Sequence, residues 1–241
     1  MRWLPSSKTR YFVLALALLA LLAVLDSLAR ALTNLGGPGF AVLLWACFAT
    51  VYAWLLLEPL VSSLMLLNNV RDPLVLDRLN AMATHVAAQG KMGTVPRLQV
   101  YQDATFGVMT VGLGKAATIF MSSQVASMAE TELRAIIAHE CGHIKLGHAV
   151  VRLCVFGSLL ALAIVINGMP LVALVANLFV LWTMRQMEFQ ADRSAAQMVG
   201  REAVAAALSR ARAVLGEAAA WQTFFSTHPQ FSTRIERLAS C

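Results

Sequence analysis

The sequence predicts a mainly α-helical membrane protein in which transmembrane helices carry a small α+β domain. Three observations predict it. Of 241 residues, 59% are hydrophobic and only 13% charged, with a mean hydropathy of +0.67, well outside the range of a soluble domain. Long apolar runs flanked by basic residues open the chain and recur in its second half. Between them lies charged sequence with helical and alternating periodicity, the pattern of a folded domain outside lipid.

Residues 1–67 are expected to form an N-terminal transmembrane hairpin. The apolar run 11–32 is long enough to span a bilayer and follows Arg2, Lys8 and Arg10, so it is read as a retained span rather than a cleaved signal. Gly36-Gly37-Pro38-Gly39 makes the turn, and 40–67 is the second run, with Glu58-Pro59 as a kink or interface. Basic residues on both flanks place both ends of this hairpin on the cytoplasmic side. The formal charge of +6 therefore reflects topology, and with no basic stripe the sequence points away from nucleic acid.

The segment 68–149 is expected to be the first part of the folded domain. Leu79, Met82, His85 and Val86 recur at helical spacing, predicting a helix that ends near Gly90, with His85 a surface or packed histidine. Residues 98–102 and 116–122 read as strands, with Gly107, Gly112 and Gly114 marking loops between them. Residues 130–146 read as a helix opening on Glu130 and Glu132, where negative charge suits the N-terminus. A second apolar hairpin, transmembrane or partly inserted, is expected over 150–186. It comprises 150–166, a turn at Asn167-Gly168-Met169-Pro170, and a run over 171–184 that is short for a span. The segment 187–241 returns to the folded domain. The four cysteines form no disulfide framework and are expected to be free thiols in a reducing compartment. Cys241, at the chain end, is not in the position of a prenylation box.

The chemistry is concentrated in the predicted helix 130–146. His139, Glu140, Cys141, Gly142 and His143 form an H-E-x-x-H string, and residues four apart on a helix share a face, so both imidazoles can meet one zinc ion with Glu140 beside them. Cys141 lies about 200° around the helix from each histidine and is read as filler. A catalytic zinc takes three protein ligands and keeps one position open, so a further ligand is needed. Glu188 in Glu188-Phe189-Gln190-Ala191-Asp192 is the best candidate, and Asp192, four residues on, shares its face and can orient a ligand imidazole. The alternative is a solvated helix in which both acids pair with Arg185 and Arg193. Two crossings between His143 and Glu188 keep both on one side of the membrane. Glu140, next to the first ligand but not one itself, suits a general base that takes a proton from the attacking water.

The helix 139–148, the Glu188 to Asp192 element after an apolar hairpin, and His228-Pro229 followed by Arg234-Ile235 together resemble the HtpX-like integral membrane metallopeptidases, relatives of the type I CAAX prenyl protease. The resemblance covers roughly residues 68–238. It implies a zincin-like catalytic domain of the gluzincin type with one Zn²⁺ per chain held by His139, His143 and Glu188, Glu140 as the catalytic base, and Asp192 supporting a ligand. It also implies that His228 and Arg234 lie near the active site and donate to the oxyanion formed on the attacked carbonyl. Without it, His228 reads as a turn residue and Arg234 as a surface charge.

One segment departs from the family pattern, and His148, which follows Gly147 as in some branches of the family, needs a separate reading. Asp103-Ala104-Thr105-Phe106 stands where an Asn-Ala-Phe-like segment often precedes the substrate-binding strand. His148 lies about half a turn off the His139 face and is not read as a ligand. The expected function is that of a membrane-embedded zinc endopeptidase acting on membrane or misfolded proteins. Its substrate would lie extended beside the strand 116–122. The expected location is the lipid bilayer of the bacterial inner membrane, with the termini and active site cytoplasmic. The rivals are a prenyl-protein protease, which is typically larger, and a non-catalytic zinc-binding sensor or scaffold, which has no use for Glu140. Nothing in the sequence specifies an oligomeric state.

Overall fold

The structure, a computed structural model, describes residues 69–70, 72–155, 170–217, 226 and 228–240, with 170–177 described by backbone alone. The expected N-terminal hairpin and the turn at 167–170, apart from Pro170, lie outside these residues. The chain divides into two compact units, Met1–Leu55 with Val155–Ala173, and Leu56–Cys154 with Leu174–Cys241. The candidate site described below lies in the second.

Helix α1 spans Pro73–Gln89. The Asp72 side chain accepts from the Leu74 amide at 2.9 Å, and Pro73 begins the helix where its missing N–H costs nothing. Its inner face buries Leu79, Met82, Ala83 and Val86, while His85 sits on the exposed face. The strands are β1 (Arg97–Tyr101), β2 (Val108–Val111) and β3 (Thr118–Ser122), in the order β1-β3-β2. β1 pairs parallel with β3, Arg97 opposite Thr118, and β2 pairs antiparallel with it, Val108 opposite Met121.

Two expectations are corrected here. Residues 108–111 are a strand, not a loop. Four residues between Gly107 and Gly112 are too few for an alternation to register, and only pairing with β3 makes them extended. With partners on both sides, β3 has no free edge, so the expected substrate position beside 116–122 is occupied. The outer side of β1 is partly taken as well, by the Asn69 bridge to Tyr101 and a Val70 amide bond to the Val100 carbonyl at 2.8 Å. Among the described residues, the open edge is that of β2.

Ser122 caps the short helix α2 (Ser123–Ala126), and α3 follows over Glu130–Lys145. α3 buries Leu133, Ile137 and Cys141 in a core shared with Leu79 and Val86 of α1 and Ile119 and Met121 of β3. Gly147, at φ 66°, breaks the chain direction in the left-handed region, and 148–155 resumes as helix. Helix α4 runs unbroken through Pro170–Val199, so the run 171–184 is the first half of the helix that carries Glu188, and the expected boundary after 186 falls inside it. Among the described residues no helix is long and apolar enough to cross a membrane. Helices α5 (Arg201–Leu215) and α6 (Phe231–Ala239) complete a mainly helical fold, α5 lying against both α3 and α6.

Candidate metal centre and active site

The close approach of α3 and α4 starts at a glycine. A Cβ on Gly142 would sit 3.0 Å from the Ala191 carbonyl oxygen and 3.1 Å from its Cα, so only glycine lets the helices meet at this distance. Beside that contact, His139, three residues before Gly142, and His143, the residue after it, face Glu188. The two Nε2 atoms are 3.1 Å apart; Glu188 Oε2 is 3.6 Å from the His139 nitrogen and Oε1 is 3.5 Å from that of His143. The three ligand atoms lie within 4.8 Å of one another, and Glu188 is only 8% exposed. Two imidazoles and a carboxylate converging in this way suit a divalent transition ion such as zinc, with room for a further ligand.

Each of these side chains has a partner behind it. His139 Nδ1 lies 2.9 Å from Asp192 Oδ1, and Arg234 grips the same carboxylate, Nε donating to Oδ2 at 2.8 Å and Nη2 to Oδ1 at 2.7 Å. Arg234 Nη1 is 3.3 Å from Glu188 Oε2, so the guanidinium, which also lines the cleft, engages two carboxylates. His143 Nδ1 lies 2.8 Å from His148 Nδ1, whose Nε2 is 3.1 Å from Gln190 Oε1. The Thr110 hydroxyl on β2 donates to Glu140 Oε2 at 2.5 Å. His228, with its side chain 68% exposed, brings Nδ1 to 3.3 Å from Glu188 Oε2 at the open side.

Burial alone would raise the Glu188 carboxyl, but hydrogen bonds from His139 and His228 and the nearby Arg234 charge hold it well below the usual carboxylate range. Burial opposes a charge on His139 too, yet Asp192 and Glu188 raise its pKa to about 10. Burial and the neighbouring His139 push His143 down to about 2. Without a metal the charge is thus favoured on His139 and disfavoured on His143. Burial raises the Cys141 thiol to about 12, which keeps it protonated against the core and away from the site.

The structure therefore brings together all the residues singled out in the sequence: His139, Glu140, His143, Glu188, Asp192, His228 and Arg234. It adds Thr110, His148 and Gln190. Thr110 lies in the strand that the sequence conceals, and Gln190 carried a signal only in standing between Glu188 and Asp192. Arg234 reaches inward because Phe231, Arg234 and Leu238 share one face of α6. A cavity of about 630 Å³ opens beside the site. One wall carries His139, Glu140 and Glu188; small and apolar side chains, Ala135 and Ile136 of α3 and Ala207 and Ala211 of α5, form another.

The family model described as Peptidase family M48 matches residues 76–241. Protease HtpX of Enterobacter sp. (strain 638) is 25% identical, with 94% of this chain and 97% of that protein covered. Protease HtpX of Salmonella newport (strain SL254) is likewise 25% identical, over 67% of this chain and 72% of that protein. Among solved structures, Ste24p of S. mikatae matches with a TM-score of 0.68 at 15% identity, covering 96% of this chain. The likeness is one of fold, and this chain spans 64% of that one.

Proposed function

The chain belongs to peptidase family M48 and is a metalloprotease, and from that premise we propose that it is a membrane-embedded zinc endopeptidase using the His139, His143, Glu188 centre. The observation that carries the reading is the convergence of those three ligand atoms within 4.8 Å with Glu140 held alongside them. The non-catalytic scaffold loses its ground with membership of a peptidase family.

His139, His143 and Glu188 would hold one zinc ion, which when bound acidifies water and polarises a carbonyl. Glu140 takes the proton of the attacking water and passes it to the leaving amine. Asp192 keeps the His139 proton on Nδ1, so that Nε2 is free for the metal. Arg234 fixes Asp192 and neutralises part of the charge on Glu188. His228, on the open side, is the donor placed to meet the developing oxyanion, and Arg234 serves it indirectly by ordering the carboxylates. The substrate pairs as an added strand along β2, which leads its backbone past Glu140 and admits many sequences. The cavity between α3 and α5 takes an apolar side chain.

Membrane and misfolded proteins are the proposed substrates, cut at the cytoplasmic face of the bacterial inner membrane. The composition and apolar runs support the membrane reading. So does an exposed aromatic pair on α4, Phe179 and Trp182, each 56% exposed, of the kind that sits at a lipid interface. Purified protein is expected to hold one zinc per chain. Glu140→Gln should lower cleavage of a model membrane substrate by about 10²–10⁴-fold with zinc retained; unchanged cleavage removes Glu140 from the mechanism.

A further inference from the structure

We propose that His148 is a positioning residue for His143, holding that imidazole in the tautomer that presents Nε2 to a metal ion, and that Gln190 sets the tautomer of His148. This rests on the reading of His139, His143 and Glu188 as a metal centre.

The two imidazoles of the centre are supported by different chemistry. His139 Nδ1 faces the ionised Asp192 carboxylate, which only accepts, so the proton on Nδ1 is fixed by that contact alone. His143 Nδ1 faces another imidazole nitrogen, His148 Nδ1, at 2.8 Å. Either ring can donate in such a pair, so its direction is decided by the next partner. That partner is Gln190, whose Oε1 lies 3.1 Å from His148 Nε2 and accepts from it. With its proton on Nε2, neutral His148 offers only a lone pair at Nδ1. His143 must then carry its own proton on Nδ1 and leave Nε2 bare. The opposite chain would put a proton on His143 Nε2, 3.1 Å from His139 Nε2 and 3.5 Å from Glu188 Oε1, in the space where a cation would sit.

The fold builds this arrangement deliberately far from what a continuous helix would give. α3 stops at Lys145, Gly147 turns the chain at φ 66°, and His148 folds back beneath His143 with 2% exposure and ring centroids 4.9 Å apart. Gln190 stands on α4 between Glu188 and Asp192. One short stretch of α4 thus supplies the carboxylate of the centre, the support of His139 through Asp192, and the support of His143 through Gln190 and His148. Ligand imidazoles held by such partners lose about 10–100-fold in metal affinity when the partner is removed.

The test is the zinc affinity of the full-length metal-free protein, measured by competition with a chromogenic chelator, with circular dichroism to check folding. His148→Leu is expected to weaken zinc binding about 10–100-fold. His148→Asn, whose Oδ1 takes the place of Nδ1 as acceptor, is expected to restore most of it. Gln190→Leu changes an exposed side chain, leaves folding intact, and is expected to weaken binding about three- to tenfold. Wild-type affinity in the folded leucine variants overturns the proposal, as does an asparagine variant no better than leucine, which would make His148 a packing residue. If His148→Leu does not fold, the asparagine and Gln190 variants decide. Failure of the wild-type protein to bind zinc would overturn the metal-centre reading itself.

Discussion

Arg234 and Asp192, separated by 42 positions in sequence, meet through two parallel contacts of 2.8 and 2.7 Å. Both are buried, Arg234 at 7% and Asp192 at 2% exposure, so neither charge has water as an alternative partner. The pair ties α6 to α4 and aims the remaining capacity of Asp192 at His139.

Removing one member of such a pair leaves the other charged and unsolvated. Arg234→Met is expected to destabilise the protein by about 3–5 kcal/mol, measured by chemical denaturation in detergent. It should also lower zinc affinity, because Asp192 loses the contacts that orient it. A loss below about 1 kcal/mol would mean that the pair contributes no more than an exposed ion pair.

Thr110 holds Glu140 from the strand along which the substrate is proposed to lie. Thr110→Val removes that hydrogen bond and is expected to cut kcat about tenfold with KM unchanged, the effect of losing roughly one charge-assisted hydrogen bond. Thr110→Ser, which keeps the hydroxyl, should recover most of the rate. If valine and threonine turn over alike, the bond has no part in orienting the base.

The cavity owes its width to alanines on facing helices. Ala211→Phe is expected to fill it, lowering kcat/KM for peptides with Leu or Phe in that subsite at least tenfold relative to those with Ala, consistent with the cost of misfitting an apolar group by several methylenes. An unchanged ratio in a cleavage-site profile would place the substrate side chain elsewhere.

The metal-free protein should be most stable near pH 6.5. His139, raised from 6.5 to about 10, contributes stability that is complete below 6.5 and is lost as pH rises through about 10. His143, lowered to about 2, contributes stability that is complete above 6.5 and is lost as pH falls. Asp192 and Glu188, held below their ordinary values, add to the loss on the acid side. Thermal midpoints of the metal-free protein between pH 4 and 10 would check this, a continued rise above pH 7 being the contrary result.

Much of the site could be read locally. The spacings of His139 with His143 and of Glu188 with Asp192 identify residues that share a helical face, whereas Arg234 reads from its own segment as a surface charge and only the structure shows it buried on α6. The spacing arithmetic left His148 out of the ligand set but missed its contact with His143, because it assumed that the helix continues through Gly147. β2 escaped for a related reason, its extended form coming from β3 and not from its own four residues.

The sequence by itself determined the helix ending near Gly90, the helix 130–146, the turn glycines and the His139–His143 and Glu188–Asp192 faces, because a helix fixes side-chain direction by hydrogen bonds among near neighbours. Only the tertiary structure decided what those side chains meet: Arg234 the carboxylates of Asp192 and Glu188, Glu140 the hydroxyl of Thr110, His143 the ring of His148. Such partners depend on how closely helices approach at Gly142 and where the chain turns at Gly147, and those distances are settled by packing between segments remote in sequence.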